Sequence, residues 1–217
     1  ELIYQEYIYH TADSLGLVEH FRKYVESVLA RIELPKDSLV IEIGSNDGSA
    51  LKFFKNSGMR VLGIDPAREI AENATQKGIL TLPEFFNLTL ASKIVAEQGK
   101  ASLIMANNVL ANIDDLTEII ERIKVLLASD GVLVFETGYA LDLIQKKIFD
   151  NIYHEHLSYF SIKPLQSFFA KNGLELIHVE RVQTNGGSIR CTVQRVNGKR
   201  LEHLLYDVCY YLHRRNE

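Results

Sequence analysis

The side chains best suited to chemistry lie close together between positions 153 and 159. This stretch, YHEHLSY, holds two histidines, one carboxylate and two tyrosines within seven positions. Such a cluster can supply a general base near neutral pH and hydrogen-bond donors for a developing oxyanion. His154 and His156 could also bind zinc or iron, but no third ligand follows at a characteristic spacing, so we predict no metal site. The alternative is an aromatic plug that packs a loop over a sheet, with its histidines merely hydrogen-bonded.

A glycine-containing turn forms a second group of interest. Residues 40–48 read VIEIGSNDG, in which a short apolar strand runs into the turn. Gly44 and Gly48 let the backbone turn tightly and approach a ligand closely, although each could equally belong to a plain turn. Asn46 and Asp47 stand where a pyrophosphate would be repelled, which disfavours a dinucleotide. An acidic turn instead suits a ligand that carries an amino group and a sulfonium charge, as S-adenosylmethionine does.

Polar side chains in and after the neighbouring strands would complete that site. Glu42 lies in the strand before the turn, and Asp65 ends the next strand, directly before Pro66. An acid at this position can accept hydrogen bonds from both hydroxyls of a ribose, or it can cap the helix that follows. Asn107 and Asn108 follow the fourth strand, where they would contact cofactor or substrate, or cap their loop. We therefore predict that these residues and the turn hold S-adenosylmethionine.

The remaining sequence alternates between strand and helix patterns that would position these groups. Apolar residues at helical spacing predict a first helix over 13–32, closed by Pro35. Predicted strands then cover 38–43, 60–65, 79–82, 101–106 and 131–136, and predicted helices cover 50–56, 67–77, 88–97 and 116–127. This alternation indicates a parallel sheet that is covered by helices on both faces.

The end of the chain departs from this alternation. A predicted helix over 163–172 precedes two extended segments, 173–179 and 188–196, which flank an Asn-Gly-Gly turn. Two strands joined by such a turn predict an antiparallel hairpin. A mostly parallel, seven-stranded α/β sheet that finishes in a hairpin is the class I S-adenosylmethionine-dependent methyltransferase fold, and it is unlike that of ordinary dinucleotide dehydrogenases. One more amphipathic helix is predicted over 201–213.

The bulk composition limits the partners of the chain. Its 217 residues are 47% hydrophobic and carry a net charge of −4 with mixed signs, so we expect no nucleic-acid surface. Cys191 and Cys209 fit neither a disulfide framework nor a zinc site, and they indicate reduced thiols in a cytoplasmic protein. No apolar run approaches the roughly 20 residues of a membrane span, and no signal peptide is evident. Because the chain begins at Glu1 rather than Met, we expect a piece of a longer protein, with further domains outside it.

Five motifs, in this order and at this spacing, resemble the deoxysugar C-methyltransferases. They are EIGSNDG at 42–48, GIDP at 63–66, NNVLANI at 107–113, YHEHLSYFS at 153–161 and GGSIR at 186–190. The resemblance runs from about Tyr4 to Val196, and the longest of these strings is specific to this family and its close relatives. It implies that a methyl group passes from S-adenosylmethionine to C-3 of a nucleotide-linked 4-keto-deoxysugar, which leaves S-adenosylhomocysteine as product.

The resemblance also implies roles for individual residues. His156 would remove the C-3 proton of the sugar, with Tyr153 and Glu155 as companions that hold the sugar and the enolate. Asn108 would contact substrate or cofactor, and Asn112 stands where the family commonly has a histidine. The other implied substrate contacts are Tyr7, Tyr9 and Arg190, the last as the partner of a phosphate.

These patterns predict that the chain has three segments and that it is an enzyme. We expect an N-terminal cap and helix over 1–35, a cofactor-binding methyltransferase domain over 36–198, and a C-terminal helix or linker over 199–217. Two alternatives remain, namely the same core acting on an unrelated small acceptor, and a non-catalytic domain that binds S-adenosylmethionine within a larger protein. The histidine and tyrosine cluster favours an enzyme, because a bare binding module needs no base there.

Overall fold

The structure, a computed structural model, describes residues 16–199. The described residues belong to two compact units, which divide between Met105 and Ala106. The three-segment organisation given above stays a prediction. The features predicted from sequence that lie outside the described residues are Tyr7, Tyr9, Cys209 and the helix over 201–213.

Helices and strands alternate along most of the described residues. The helices are α1 (Leu17–Arg31), α2 (Ser49–Asn56), α3 (Arg68–Gln76), α4 (Leu88–Gln98), α5 (Leu116–Leu126), α6 (Ala140–Lys146) and α7 (Ile162–Lys171). The strands are β1 (Leu39–Ile43), β2 (Arg60–Ile64), β3 (Thr81–Leu82), β4 (Ala101–Met105), β5 (Leu127–Gly138), β6 (Leu174–Val182) and β7 (Ser188–Arg195). Short 3₁₀ turns cover Leu110–Asn112, Phe149–Asn151 and Thr184–Gly186.

The strands form one seven-stranded sheet in the order β3-β2-β1-β4-β5-β7-β6. Strand β1 pairs in parallel with β2 and with β4, and β2 pairs in parallel with β3. Strand β7 instead runs antiparallel to both β5 and β6. The predicted mostly parallel sheet with a terminal antiparallel hairpin is confirmed.

In the first unit, the register of the strands brings two chain segments to one edge. All five residues of β1 are buried, as expected for a parallel strand covered on both faces. The last residue of β1, Ile43, pairs with the last residue of β2, Ile64. Gly44 and Asp65 therefore leave the sheet at the same edge, where open α/β sheets bind their ligands.

In the second unit, the hairpin brings its turn to the end of β5. Ser188, the first residue of β7, pairs with both Gly138 of β5 and Val182 of β6. Helix α7 packs on β6, and its Phe169 ring lies 5.8 Å from that of Phe135 in β5. The turn between β6 and β7 is consequently held beside the carboxyl end of β5 by a buried apolar core.

Helix α6 was not predicted from the sequence. At seven residues it is too short to be stable by its own propensity. Its Asp142 is buried and ion-paired with Arg181 of β6, and Lys146 donates a hydrogen bond to the carbonyl of Gly186 at 2.7 Å. These long-range contacts, rather than a local periodicity, account for the helix.

Candidate active site

The turn after β1 adopts a backbone conformation that favours glycine. Gly44 and Gly48 have φ of 69° and 74°, and Asn46 between them has φ of 48°. Asparagine is among the few other residues that tolerate this left-handed region. A Cβ added to Gly48 would lie 2.7 Å from Cγ2 of Ile79, so glycine is required there for space as well as for conformation.

Asp65 binds this turn through both carboxylate oxygens. Oδ2 accepts the backbone N–H of Asn46 at 2.8 Å, and Oδ1 accepts that of Ala67 at 2.9 Å. Asp65 is 8% exposed, and its burial raises the pKa of the carboxyl above the ordinary value, with the hydrogen bonds from Ala67 and Asn46 opposing that rise. An ionised carboxylate accepts about four hydrogen bonds, so each oxygen retains capacity for a further donor. Asp65 therefore shapes the turn and keeps acceptor sites for a ligand.

The other predicted cofactor residues of this unit differ in their surroundings. Glu42 is 3% exposed within β1, whereas Pro66 is half-buried behind Asp65. Oδ1 of Asp47 accepts both the backbone N–H of Ser49 at 3.1 Å and its hydroxyl at 2.6 Å. Asp47 thus closes a local Asx turn onto Ser49, the first residue of helix α2.

Gly63 is a requirement of this edge that the sequence analysis did not recognise. A Cβ at this position would lie 2.4 Å from Oγ of Ser45 and 2.6 Å from Oγ1 of Thr81. The glycine therefore lets the turn and β3 approach β2 closely. Its place within the motif GIDP was noted, but the packing reason for it depends on which strands are neighbours.

In the second unit, the two predicted asparagines meet the end of β5. Oδ1 of Asn107 accepts the backbone N–H of Glu136 at 3.1 Å, which ties this side chain to β5. The backbone N–H of Asn108 donates to the carbonyl of Glu136 at 2.8 Å. Asn108 has φ of 56° and an exposed side chain, whose Oδ1 lies 3.5 Å from Nδ2 of Asn185. The side chain of Asn108 is thus accessible to a ligand.

His156 has one ring nitrogen whose role the structure defines. Nδ1 lies 2.8 Å from the carbonyl oxygen of Asn151. Because a carbonyl oxygen only accepts hydrogen bonds, a neutral imidazole in this contact carries its proton on Nδ1. Nε2 then presents a lone pair, which is the state that a general base needs. His156 is half-buried, so this nitrogen is not sealed in the core.

Aromatic rings surround His156 in the predicted cluster. The Tyr153 ring lies 4.5 Å from the imidazole between centroids, and the Tyr159 ring lies 6.2 Å away, edge to face. His154 contacts Tyr153 at 5.7 Å but is itself exposed, whereas Glu155 is half-buried. The structure therefore brings Tyr153, His156 and Tyr159 together.

Two backbone hydrogen bonds attach this cluster to the loop that follows β4. The N–H groups of Leu157 and Ser158 both donate to the carbonyl of Ala111, at 2.8 and 3.1 Å. The neighbouring Asn112 is half-buried, and its Oδ1 is buried without a hydrogen-bond partner among the described residues. A buried acceptor in this state is costly unless a ligand or water supplies the donor.

Arg190, predicted to bind a phosphate, is instead paired within the chain. Its guanidinium is 7% exposed and lies 2.7 Å from Oε2 of Glu136 and 3.2 Å from Oε2 of Glu180. Glu136 also accepts the hydroxyl of Thr184 at 3.3 Å. This buried pair ties β5, β6 and β7 together, and the sequence analysis did not identify Glu136 as its acid. Arg190 therefore carries no part of the function proposed below.

Comparison with known families supplies the class of protein. A family model described as a methyltransferase domain matches residues 6–179, which is most of the chain. The chain belongs to this family. The methyltransferase is also 36% identical over 189 residues to the C-methyltransferase NovU of Streptomyces niveus. That match covers 87% of the chain but 45% of NovU, so the chain spans less than half the length of this curated relative.

Solved structures with the same architecture show the fold. Magnesium protoporphyrin IX methyltransferase from Synechocystis, solved with bound S-adenosylhomocysteine, has a TM-score of 0.64 at 19% identity, with 83% of this chain and 84% of that chain covered. The putative methyltransferase in complex with the Trm112 activator of Haloferax volcanii also has a TM-score of 0.64, at 14% identity, with 85% and 95% covered. The fold of the methyltransferase is thus that of class I S-adenosylmethionine-dependent methyltransferases, as predicted.

Two features concern residues 16–199, namely potential metal ligands and membrane-spanning helices. No three histidine, cysteine, aspartate or glutamate side chains in this part of the chain gather as a metal-ligand group. Across the same residues, none of the helices combines the length and the apolar character that crossing a membrane requires.

Proposed function

We propose that this S-adenosylmethionine-dependent methyltransferase methylates carbon, at C-3 of a nucleotide-linked 4-keto-deoxysugar. The observation that carries the proposal is the hydrogen bond from Nδ1 of His156 to the carbonyl of Asn151, at 2.8 Å. It leaves Nε2 as a proton acceptor beside two tyrosine rings, Tyr153 and Tyr159. Methylation of a carbon beside a ketone requires a base that removes its proton, whereas a binding module needs no such base.

The residues of the first unit suit the methyl donor chemically. S-adenosylmethionine, when bound, supplies an electrophilic methyl group on a sulfonium. Asp65 would accept its ribose hydroxyls, since both carboxylate oxygens keep acceptor capacity beyond Asn46 and Ala67. The turn over 44–48 and the buried carboxylate of Glu42 would face the rest of the ligand, and Pro66 would line the site next to Asp65. An acidic set of this kind matches the positive charges of the donor.

His156 would act on the acceptor. The 4-keto group of such a sugar acidifies the C–H bond at C-3, so a neutral imidazole can remove this proton. The proton moves to Nε2, the electron pair passes into the enolate, and C-3 becomes the nucleophile for the methyl group. The imidazolium that forms keeps its Nδ1–H bond to the Asn151 carbonyl, which stabilises the positive charge.

Four other residues of the second unit would hold the acceptor. The phenol of Tyr153 would donate to the enolate oxygen, and Glu155 would orient the sugar beside it. Asn108 offers an exposed side chain, and Asn112 is half-buried in the loop that precedes helix α5. The implied contacts of Tyr7 and Tyr9 fall outside the described residues and stay predictions.

The name of one relative supports carbon as the acceptor atom. NovU is a C-methyltransferase, and its similarity covers 189 residues of this chain. Because less than half of NovU is covered, the sugar nucleotide as substrate rests on the resemblance of the motifs rather than on this match. A carbon acceptor also agrees with a base at His156, since amines and many hydroxyls are methylated without removal of a C–H proton.

Proton exchange at C-3 tests the proposal without methyl transfer. The methyltransferase, a nucleotide-linked 4-keto-deoxysugar and S-adenosylhomocysteine are incubated in heavy water, and loss of the C-3 proton signal is followed by NMR. We expect exchange by the wild type and an at least hundredfold slower rate for His156→Asn, with unchanged affinity for S-adenosylhomocysteine. A folded His156→Asn variant that exchanges at the wild-type rate would contradict the assignment of the base. No exchange by a wild type that binds S-adenosylhomocysteine would contradict the acceptor.

A further inference from the structure

The carbonyl oxygen of Asn151 organises the surroundings of His156. It accepts the Nδ1 proton of His156 at 2.8 Å and the hydroxyl of Tyr159 at 3.3 Å. Asn151 is the last residue of the 3₁₀ turn Phe149–Asn151, and a carbonyl at the end of such a turn is left without a partner inside it. One backbone oxygen thus sets the orientation of the imidazole and of a ring that packs against it.

The side chain of the same residue attaches this carbonyl to the hairpin turn. Nδ2 of Asn151 donates to the backbone carbonyl of Asn185 at 3.2 Å. Asn185 has φ of 50°, a left-handed conformation that asparagine tolerates and that directs its carbonyl out of the hairpin. The side-chain amide of Asn151 is therefore hydrogen-bonded to the turn, and its backbone carbonyl is hydrogen-bonded to the imidazole of His156.

The hairpin turn is itself anchored to the buried core of this unit. The N–H of Gly187 donates to the carbonyl of Thr184 at 2.9 Å, and the Thr184 hydroxyl donates to the buried carboxylate of Glu136 at 3.3 Å. A Cβ on Gly186 would lie 2.5 Å from Cδ1 of Ile148, so the turn also packs closely on the segment before the 3₁₀ turn. A continuous set of contacts runs from Glu136 through the turn to Asn151.

We propose that Asn151 is a positioning residue, whose side-chain amide holds the carbonyl that keeps His156 protonated at Nδ1. Without this hydrogen bond the neutral ring can carry its proton on either nitrogen. A proton on Nε2 would remove the lone pair that the base needs, so every molecule in that state is inactive. The catalytic meaning of this inference rests on the function proposed above, whereas the tautomer itself is a property of the protein alone.

The variant Asn151→Leu tests the inference, because leucine keeps the approximate shape of asparagine and lacks the donor. Asn172→Leu is the matched control, since Nδ2 of Asn172 also donates to a backbone carbonyl, that of Phe168, at 2.8 Å, at the far end of helix α7. Asn151→Ala serves as a second variant with a smaller side chain. Circular dichroism and thermal melting establish that each variant is folded.

The measurement is a long-range proton–nitrogen correlation spectrum of protein containing isotope-labelled histidine. It is recorded at about pH 8.5, where an ordinary imidazole is neutral. The His156 signals are identified by their loss in His156→Asn. We expect the wild type and Asn172→Leu to show the Nδ1–H form alone. In both Asn151 variants the Nδ1–H fraction should fall to about half or below, because a neutral histidine ring without a selecting partner favours the proton on Nε2.

Two results would overturn the inference. The first is a wild type whose His156 carries its proton on Nε2, and the second is a folded Asn151→Leu variant that keeps the pure Nδ1–H signature. Turnover is a second measurement, and it depends on the proposed function. In both Asn151 variants kcat should fall in proportion to the remaining Nδ1–H fraction, by about twofold or more, with KM unchanged. Normal tautomers together with an absence of turnover in the wild type would refute the proposed substrate and leave the positioning role standing.

Discussion

Replacement of Asp65 by asparagine isolates the contribution of one carboxylate to cofactor binding. In the wild type, each carboxylate oxygen accepts one backbone N–H, from Asn46 at 2.8 Å and from Ala67 at 2.9 Å. An amide has one acceptor oxygen, so in Asp65→Asn one backbone donor loses its partner. If Asp65 binds the ribose as proposed, one ribose hydroxyl would also meet an N–H group instead of an acceptor. The side-chain volume is unchanged, which separates this effect from a packing defect.

The expected magnitude follows from the hydrogen bonds that are lost. A hydrogen bond to a charged group contributes about 1.5–3 kcal/mol, and Asp65 is 8% exposed, so solvent competes little for it. We expect the affinity for S-adenosylhomocysteine to fall by about 2 kcal/mol, or roughly thirtyfold in Kd. Isothermal titration calorimetry with the wild type and the variant measures this difference directly.

Asp115→Asn is the matched control for this experiment. Oδ1 of Asp115 accepts the backbone N–H of Glu118 at 2.9 Å, so the same isosteric change removes the charge of a carboxylate that caps helix α5. Its Kd should equal that of the wild type. A folded Asp65→Asn variant whose Kd lies within about threefold of the wild-type value would refute the ribose contact, because an effect that small is below the cost of one charged hydrogen bond.

Three further predictions concern pH, packing and the buried ion pair. Burial raises the pKa of Asp65, so its ionised fraction begins to fall at a higher pH than that of an exposed aspartate. Calorimetry should therefore show that the affinity for S-adenosylhomocysteine weakens as the pH drops through that pKa. The Asp65→Asn variant should show no such pH dependence. Gly63→Ala should lower the free energy of unfolding by about 1–3 kcal/mol, because its Cβ would lie 2.4 Å from Oγ of Ser45. The control Gly138→Ala should melt like the wild type, because a Cβ at that position has no other heavy atom within 4 Å. Arg190→Met should lower the free energy of unfolding, measured with urea, by about 3 kcal/mol, since Glu136 loses its guanidinium partner in the core. A decrease no greater than that caused by Glu180→Gln would contradict this role.

The architecture of this protein was predictable because it depends on short-range patterns. Apolar runs such as 39–43 and amphipathic segments such as 116–126 carry the periods of strand and helix in the residues themselves. The alternation of strands and helices then indicates a parallel sheet, and the Asn-Gly-Gly turn predicts the hairpin. Helix α6 was missed because Asp142 is held by Arg181, which lies far along the chain.

In the candidate site, too, some features depend on the local sequence and others on long-range contacts. Glycines and acids that follow a strand, such as Gly44 and Asp65, mark a ligand-binding edge from sequence alone, because strand ends of a parallel sheet converge there. The chemical types of Tyr153 and His156 likewise indicate a base and its neighbours. Residue type therefore determined which side chains were available for chemistry.

Only the tertiary structure decided which partner each of these groups has. Arg190 reads as a phosphate ligand in the motif GGSIR, but the pairing of β7 with β5 and β6 places Glu136 and Glu180 against its guanidinium. The protonated nitrogen of His156 is likewise selected by a carbonyl, that of Asn151, and every residue type carries such a carbonyl. Backbone oxygens leave no signature in a sequence, and ion pairs across strands depend on register. Both are therefore decided by the packed fold.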